Sequence, residues 1–173
     1  DVCSSDLKDG LSLYIRGSGA TTDLNGTIQT AGAAYIEDAI RLIGDASIET
    51  TGGDLTITGG TEGIFSQAGS NFNLSIDAGT GTVALGSLAG FGNGNGTGSL
   101  LQDASVTGAS IELFATSDSV AGNLSFNGPV SIVGPTPRSL TMSAGNINFQ
   151  STVDATSSDF SDLILNSQGT TRT

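Results

Sequence analysis

The chain has 173 residues, 17 acidic against 5 basic, for a net charge of −12, with 26 glycines, 5% aromatic residues, no Trp and no His. That length suffices for one domain with a real core, while the charge opposes contact with a nucleic-acid backbone or an anionic membrane surface. The missing histidines remove Ser-His-Asp, Cys-His and zinc-histidine chemistry, and no apolar run approaches the ~20 residues that cross a bilayer, so neither nucleic acid nor membrane insertion is expected.

Charged residues make up only 13% and hydrophobic ones 36%, a balance shared with flexible linkers, but regular apolar spacing argues for order. Leu11, Leu13 and Ile15 open the pattern, followed by Leu24 and Ile28 around an expected Asn25-Gly26 turn. Ile36, Ile40 and Ile43 match one face of a short helix. The neighbouring pairs Ile40/Leu42, Ala46/Ile48 and Leu55/Ile57 instead alternate with period 2, which favours strand throughout. Phe72, Leu74 and Ile76 continue the rhythm, then Val83 and Leu85, a Gly/Asn stretch at 90–99 expected to loop out, Ala104 and Val106, and Ile111, Leu113 and Phe114.

The pattern is densest at 123–149, where Leu124/Phe126, Val130/Ile132, Leu140/Met142 and Ile147/Phe149 alternate with small polar residues and are separated by corners rich in Gly, Pro, Asn and Ser. Val153, Leu163 and Leu165 precede a polar tail at 166–173. No composition shift marks a domain boundary.

LSIDAGTGTVAL at 74–85 can be laid over LTMSAGNINF at 140–149 with a corner two residues shorter. Loose internal repetition of this kind is the sequence signature of a solenoid, in which each unit buries its apolar face only against its neighbours. The runs NLSFNGPV, SLTMSAGNINF and NLSIDAGTGTVALGSLAG resemble the repeats of filamentous-haemagglutinin-like exoproteins and related giant bacterial adhesins. The resemblance spans roughly 8–165 and implies an all-β, right-handed parallel β-helix, secreted or at the bacterial cell surface, as part of a longer rod. With ~20–25 residues per coil the chain would supply about seven coils, which at about 4.8 Å each make a rod of roughly 30–35 Å. The partners implied are flanking coils of the same chain and, through the full-length protein, host-cell or matrix glycans or proteins.

Residues 1–7, DVCSSDL, resemble the in-frame translation of a sequencing adapter. This implies that they are not biological, that the chain is a fragment read from environmental DNA, and that Cys3, the only cysteine, lies outside the authentic sequence. Disulfides and cysteine metal sites are then excluded.

Parallel β-helices also host polysaccharide lyases and hydrolases, whose chemistry needs convergent carboxylates beside a basic group. The available acids are Glu37, Asp38, Asp45, Glu49, Asp54, Glu112, Asp118, Asp154, Asp159 and Asp162, and the cations are Lys8, Arg16, Arg41 and Arg138. Arg41 beside Asp45 or Asp54 reads as a solvated surface pair. Carboxylates at Glu37/Asp38 or Asp159/Asp162 are conceivable calcium ligands. The 90–99 stretch lacks the Asp of the Gly-rich calcium repeat and occurs once, so no metal or cofactor is expected. Asn25, Asn73, Asn95 and Asn123 each begin an N-x-Ser/Thr acceptor pattern, at a frequency expected by chance in a chain of this composition. Thr56-x-Thr58 begins no ladder of paired threonines. The expected function is a structural segment of an adhesin, with no catalytic residues. The alternative is a module that binds or cleaves polysaccharide.

Overall fold

The computed structural model describes residues 12–17, 19–60, 62–86, 98–134, 138–155 and 160–172. Segment 1–7, Lys8, Leu11, Asn95, the Pro-rich corner at 135–137 and Asp159 lie outside the described residues, as does 90–97 of the expected Gly/Asn loop. Within them the chain is all-β, without a helix.

The strands begin with β1 (Leu13–Ile15), β2 (Thr21–Thr30), β3 (Ala34–Ile36), β4 (Ala39–Thr50), β5 (Leu55–Ile57), β6 (Ile64–Gln67) and β7 (Leu74–Asp77). They continue with β8 (Thr82–Leu85), β9 (Gly98–Ser99), β10 (Ala104–Thr107), β11 (Ser110–Leu113), β12 (Ser117–Ser119) and β13 (Asn123–Asn127). The last are β14 (Val130–Ile132), β15 (Arg138–Ala144), β16 (Asn146–Phe149), β17 (Val153–Ala155), β18 (Phe160–Ser167) and β19 (Thr171–Arg172). A seven-stranded sheet runs β1-β3-β5-β8-β11-β14-β17, a nine-stranded one holds β19-β16-β13-β10-β7-β4-β6-β9 with β2 on β4, and a three-stranded one runs β12-β15-β18. Pairing is parallel everywhere except between β6 and β9.

Register turns the period-2 sequence into columns. In the seven-stranded sheet Leu13, Ala34, Leu55, Val83, Ile111, Val130 and Val153 follow one another across the strands. In the nine-stranded sheet Ile28, Ile48, Ile76, Val106, Phe126 and Phe149 do the same. The Phe126 and Phe149 rings stack with centroids 5.2 Å apart. These columns share one hydrophobic cluster with Leu140 and Met142 of the three-stranded sheet. Each large side chain removed from water in this way contributes about 1.5–3 kcal/mol. The expected inward pairs of 123–149 are all buried.

Tight corners join the nine- and seven-stranded sheets. Gly53 and Gly81 occupy this corner on successive levels, and a Cβ at Gly53 would lie 2.6 Å from the carbonyl carbon of Gly32, one at Gly81 2.7 Å from that of Gly53. Only glycine allows the backbones to approach so closely.

Two expectations need correction. Asn25-Gly26 is no turn between strands: Gly26 has φ +86°, and the pair sits inside β2 where the register against β4 shifts between Leu24 and Gly26. The long strands β2 and β4 thus bend there rather than reverse. The overlay of 74–85 on 140–149 is also not a structural repeat. Leu74 and Ile76 lie in the nine-stranded sheet, whereas Leu140 and Met142 lie in the three-stranded one. Ile36 and Ile40 lie in β3 and β4, the strands that the period-2 spacing favours over a helix, with Ile43 exposed at the bend.

Ile147→Asp places a carboxylate at a site with 0% exposure and is expected to cost several kcal/mol. Thr141→Asp, on the outward side of β15, is expected to cost under about 1 kcal/mol. Urea melts of the two variants check this, and similar losses would contradict the inward and outward assignment.

Candidate functional site

The best-defined polar constellation is built by the register of the nine-stranded sheet. One residue before the register positions Ala46, Leu74, Ala104, Leu124, Ile147 and Thr171 stands an Asp, Asn or Thr, and several of these residues bond from level to level. Asp45 Oδ1 accepts the backbone N–H of Asn73 at 2.8 Å and its Nδ2 at 3.2 Å. Asp103 Oδ1 accepts the N–H of Asn123 at 2.6 Å and its Nδ2 at 3.0 Å. Asn146 Nδ2 donates to Asn123 Oδ1 at 2.7 Å, and the N–H of Thr170 donates to Asn146 Oδ1 at 2.8 Å. Asn25 lies in register with Asp45, since Gly26 pairs with Ala46.

Two positions on, outward hydroxyls align as Thr27, Ser47, Ser75, Ser105 and Ser125. The Asx row and the hydroxyl row line an open groove of about 540 Å³. Two positions beyond the hydroxyl row, Gln29, Glu49, Asp77, Thr107 and Asn127 align in a further column. There Gln29 Nε2 donates to Glu49 at 3.2 Å, and Asn127 Nδ2 donates to Thr107 Oγ1 at 3.1 Å. Alternating donors and acceptors close on one another along the rows, which makes them a structural ladder first.

The ladder was not recognised from sequence, although its signal is there. DAS at 45, NLS at 73, DAS at 103, NLS at 123 and NIN at 146 all repeat Asx, inward residue, outward polar residue. Two of the four N-x-Ser/Thr matches, Asn73 and Asn123, are ladder rungs. The amide nitrogens of Asn73 and Asn123 already donate to carboxylates.

The remaining acids are dispersed. Asp54 Oδ1 accepts the N–H of Thr82 at 2.8 Å, and Asp154 Oδ1 accepts that of Ala155. Glu112 and Asp154 lie on the outer face of the seven-stranded sheet. Glu37 is half-buried beyond β3, next to a buried Asp38 that accepts a bond from Thr22 Oγ1 at 3.2 Å. Asp118 points inward from β12 and is buried, while Asp162 on β18 is exposed. Among the described residues no three acids are grouped to hold a metal ion.

Arg41 does not meet Asp45 or Asp54. It pairs with Asp23, which faces it across β2 and β4, through two bonds of 2.7 Å from Nε and Nη2. Asp23 was not among the expected acids because its partner depends on register, not on sequence distance. The hydrogen bonds from Arg41 hold the Asp23 carboxyl below its ordinary value. Arg138 begins β15, in register with Phe160, and Arg16 stacks on tyrosines.

No family model, curated protein or solved structure matches the chain.

A depressed folded-state pKa stabilises only while the carboxyl is ionised, so the Asp23 contribution is full above the unfolded value of about 3.9 and disappears as pH falls through the lower folded one. Wild type is expected to exceed Asp23→Asn by a small margin at pH 7, because both partners are partly exposed. The gap should close below about pH 4 in thermal melts. Asn123→Asp sets a second carboxylate against Asp103, raising one carboxyl's pKa in the folded state. It is expected to cost about 1 kcal/mol at neutral pH, with the loss relieved on acidification in the same melts. A loss independent of pH would contradict the ladder assignment.

Proposed function

We propose that this chain forms a right-handed parallel β-helix and serves as a rigid, catalytically inert scaffold segment of a secreted or surface-exposed bacterial adhesin-like exoprotein. The observation that carries the reading is the parallel pairing of each level with the next. Bonds of the polar ladder join residues 28, 20, 23 and 24 positions apart, and side chains from all three sheets enter one core. Parallel crossovers are right-handed for steric reasons, which supports the hand. Asp45 and Asp103 are already engaged in the ladder and the acids of the other faces stand apart, which supports the absence of catalysis, because acid–base chemistry needs its groups free and within reach of one substrate. The charge of −12 keeps such a rod soluble. Flanking coils would continue the stack, and adhesion to host-cell or matrix glycans or proteins belongs to the full-length protein.

A stack of this kind has a modular test. Leu124 pairs with Ile147, so excising 124–146 removes β14, β15 and nearly all of β13 and brings β10 against β16, β11 against β17 and β12 against β18. This variant is expected to unfold cooperatively with reduced stability, since stability is nearly additive over units. Excising 124–135 breaks the register and should abolish the transition. If both deletions unfold the protein alike, the β-helix reading fails. The purified chain is also expected to release no unsaturated or reducing ends from pectic, alginate-like or glycosaminoglycan polymers above a heat-denatured control, with or without calcium. Release above that level overturns inertness.

A further inference from the structure

Among the described residues four large hydrophobic side chains stay exposed, and two of them are aromatic: Tyr14 at 62%, on the outer face of β1, and Phe114 at 45%, immediately after β11. Tyr14 is in register with Tyr35, and the column continues outward through Thr56 and Ala84. The Tyr14 and Tyr35 rings lie 6.3 Å apart and tilted by 42°. The Arg16 guanidinium sits over both, 5.5 and 5.8 Å from their centroids. Glu37 follows Arg16 in register on the next level, and among the described residues Arg16 forms no ion pair.

Beyond Tyr35 the face dips into a shallow hollow of about 350 Å³, floored by Thr56, Thr58, Ala84 and Gly86 and flanked by Phe114. Three inter-strand steps separate the levels of Tyr35 and Phe114, roughly 14 Å at the usual strand spacing. The tyrosine column itself runs on from Ala84 to Glu112, and Phe114 stands two positions further along its strand, so the face presents two rings, a small polar dip and a third ring set to one side, along a path oblique to the strands.

We propose that this track binds a neutral polysaccharide chain laid obliquely across the strands. The tyrosine and phenylalanine faces offer π surface to the C–H faces of pyranose rings, and Arg16, held flat by the two tyrosines, donates to sugar hydroxyls together with the phenolic O–H groups. In the dip the Thr56 hydroxyl bonds the middle residues, and that of Thr58, which donates to the Glu37 carbonyl at 3.3 Å, serves them as an acceptor. An open path selects a polymer over an enclosed small molecule, and Glu37 and Glu112 on the same face, within a chain of net charge −12, disfavour an anionic one. This goes beyond the scaffold reading, which the excision test addresses independently.

The chain contains no Trp and only two Tyr, so its intrinsic emission reports on this site alone. Titrating the whole chain with soluble xylan, mannan, galactomannan and β-glucan is expected to change tyrosine emission saturably with at least one of them, and the same polymer should retard the protein in affinity gels. Tyr14→Ala and Arg16→Ala should each weaken retardation about tenfold or more, and Phe114→Ala several-fold, with unchanged circular dichroism. Ile164→Ala, which removes an exposed apolar group on β18, should bind as wild type. Three results overturn the proposal: no emission change and no retardation with any neutral polymer, stronger retention by alginate or heparin than by neutral chains, or undiminished binding by folded Tyr14→Ala.

Discussion

The constraint on which everything else rests is that a parallel strand can satisfy its backbone only through a strand on another level. In this protein the N–H and C=O groups of nearly every strand are met by residues about twenty or more positions away, as when the N–H of Ala46 reaches the carbonyl of Asn73 and that of Leu74 reaches Asp103. Such bonding fixes register, and register then decides every lateral contact: which aliphatics stack, which Asx residues bond and which acid meets Arg41. The core and the polar rows are two readings of the same alignment, offset by one residue along each strand. A slip of one position would expel the core and bury the ladder together.

The all-β class and the inward residues were legible because period-2 alternation is local. Leu124/Phe126, Ile147/Phe149 and Leu55/Ile57 are buried where that alternation puts them. What lay beyond reach was the pairing between levels. The two stretches that looked most alike, 74–85 and 140–149, occupy different sheets, because a corner of the form apolar-x-apolar-x-Ala-Gly serves at more than one edge. Their true counterparts look less similar: Leu74 pairs with Ala104 and Ala104 with Leu124, so the column tolerates large changes of side-chain size.

The polar side followed the same logic. Asn73 and Asn123 match a modification pattern because a ladder rung, an inward residue and an outward hydroxyl happen to spell it. Asp45 and Asp103 fill the same position with a different letter, which hides the repeat from any search for asparagine. The bend at Asn25-Gly26 was misread for a related reason. Glycine with positive φ marks both reversals and bulges, and only the continued pairing of Ile28 with Ile48 separates the two.

Length per level is the one quantity this architecture leaves free. Rungs of the ladder are 28 residues apart at Asp45 and Asn73, yet 20 apart at Asp103 and Asn123, and the register of the nine-stranded sheet is the same on both. The surplus on the longer levels is taken up away from the pairing, where β6 and β9 meet antiparallel. Insertion and deletion at that edge are thus uncoupled from the stack, so lineages of such a protein can diverge in what they display there while the sheets beneath stay superimposable.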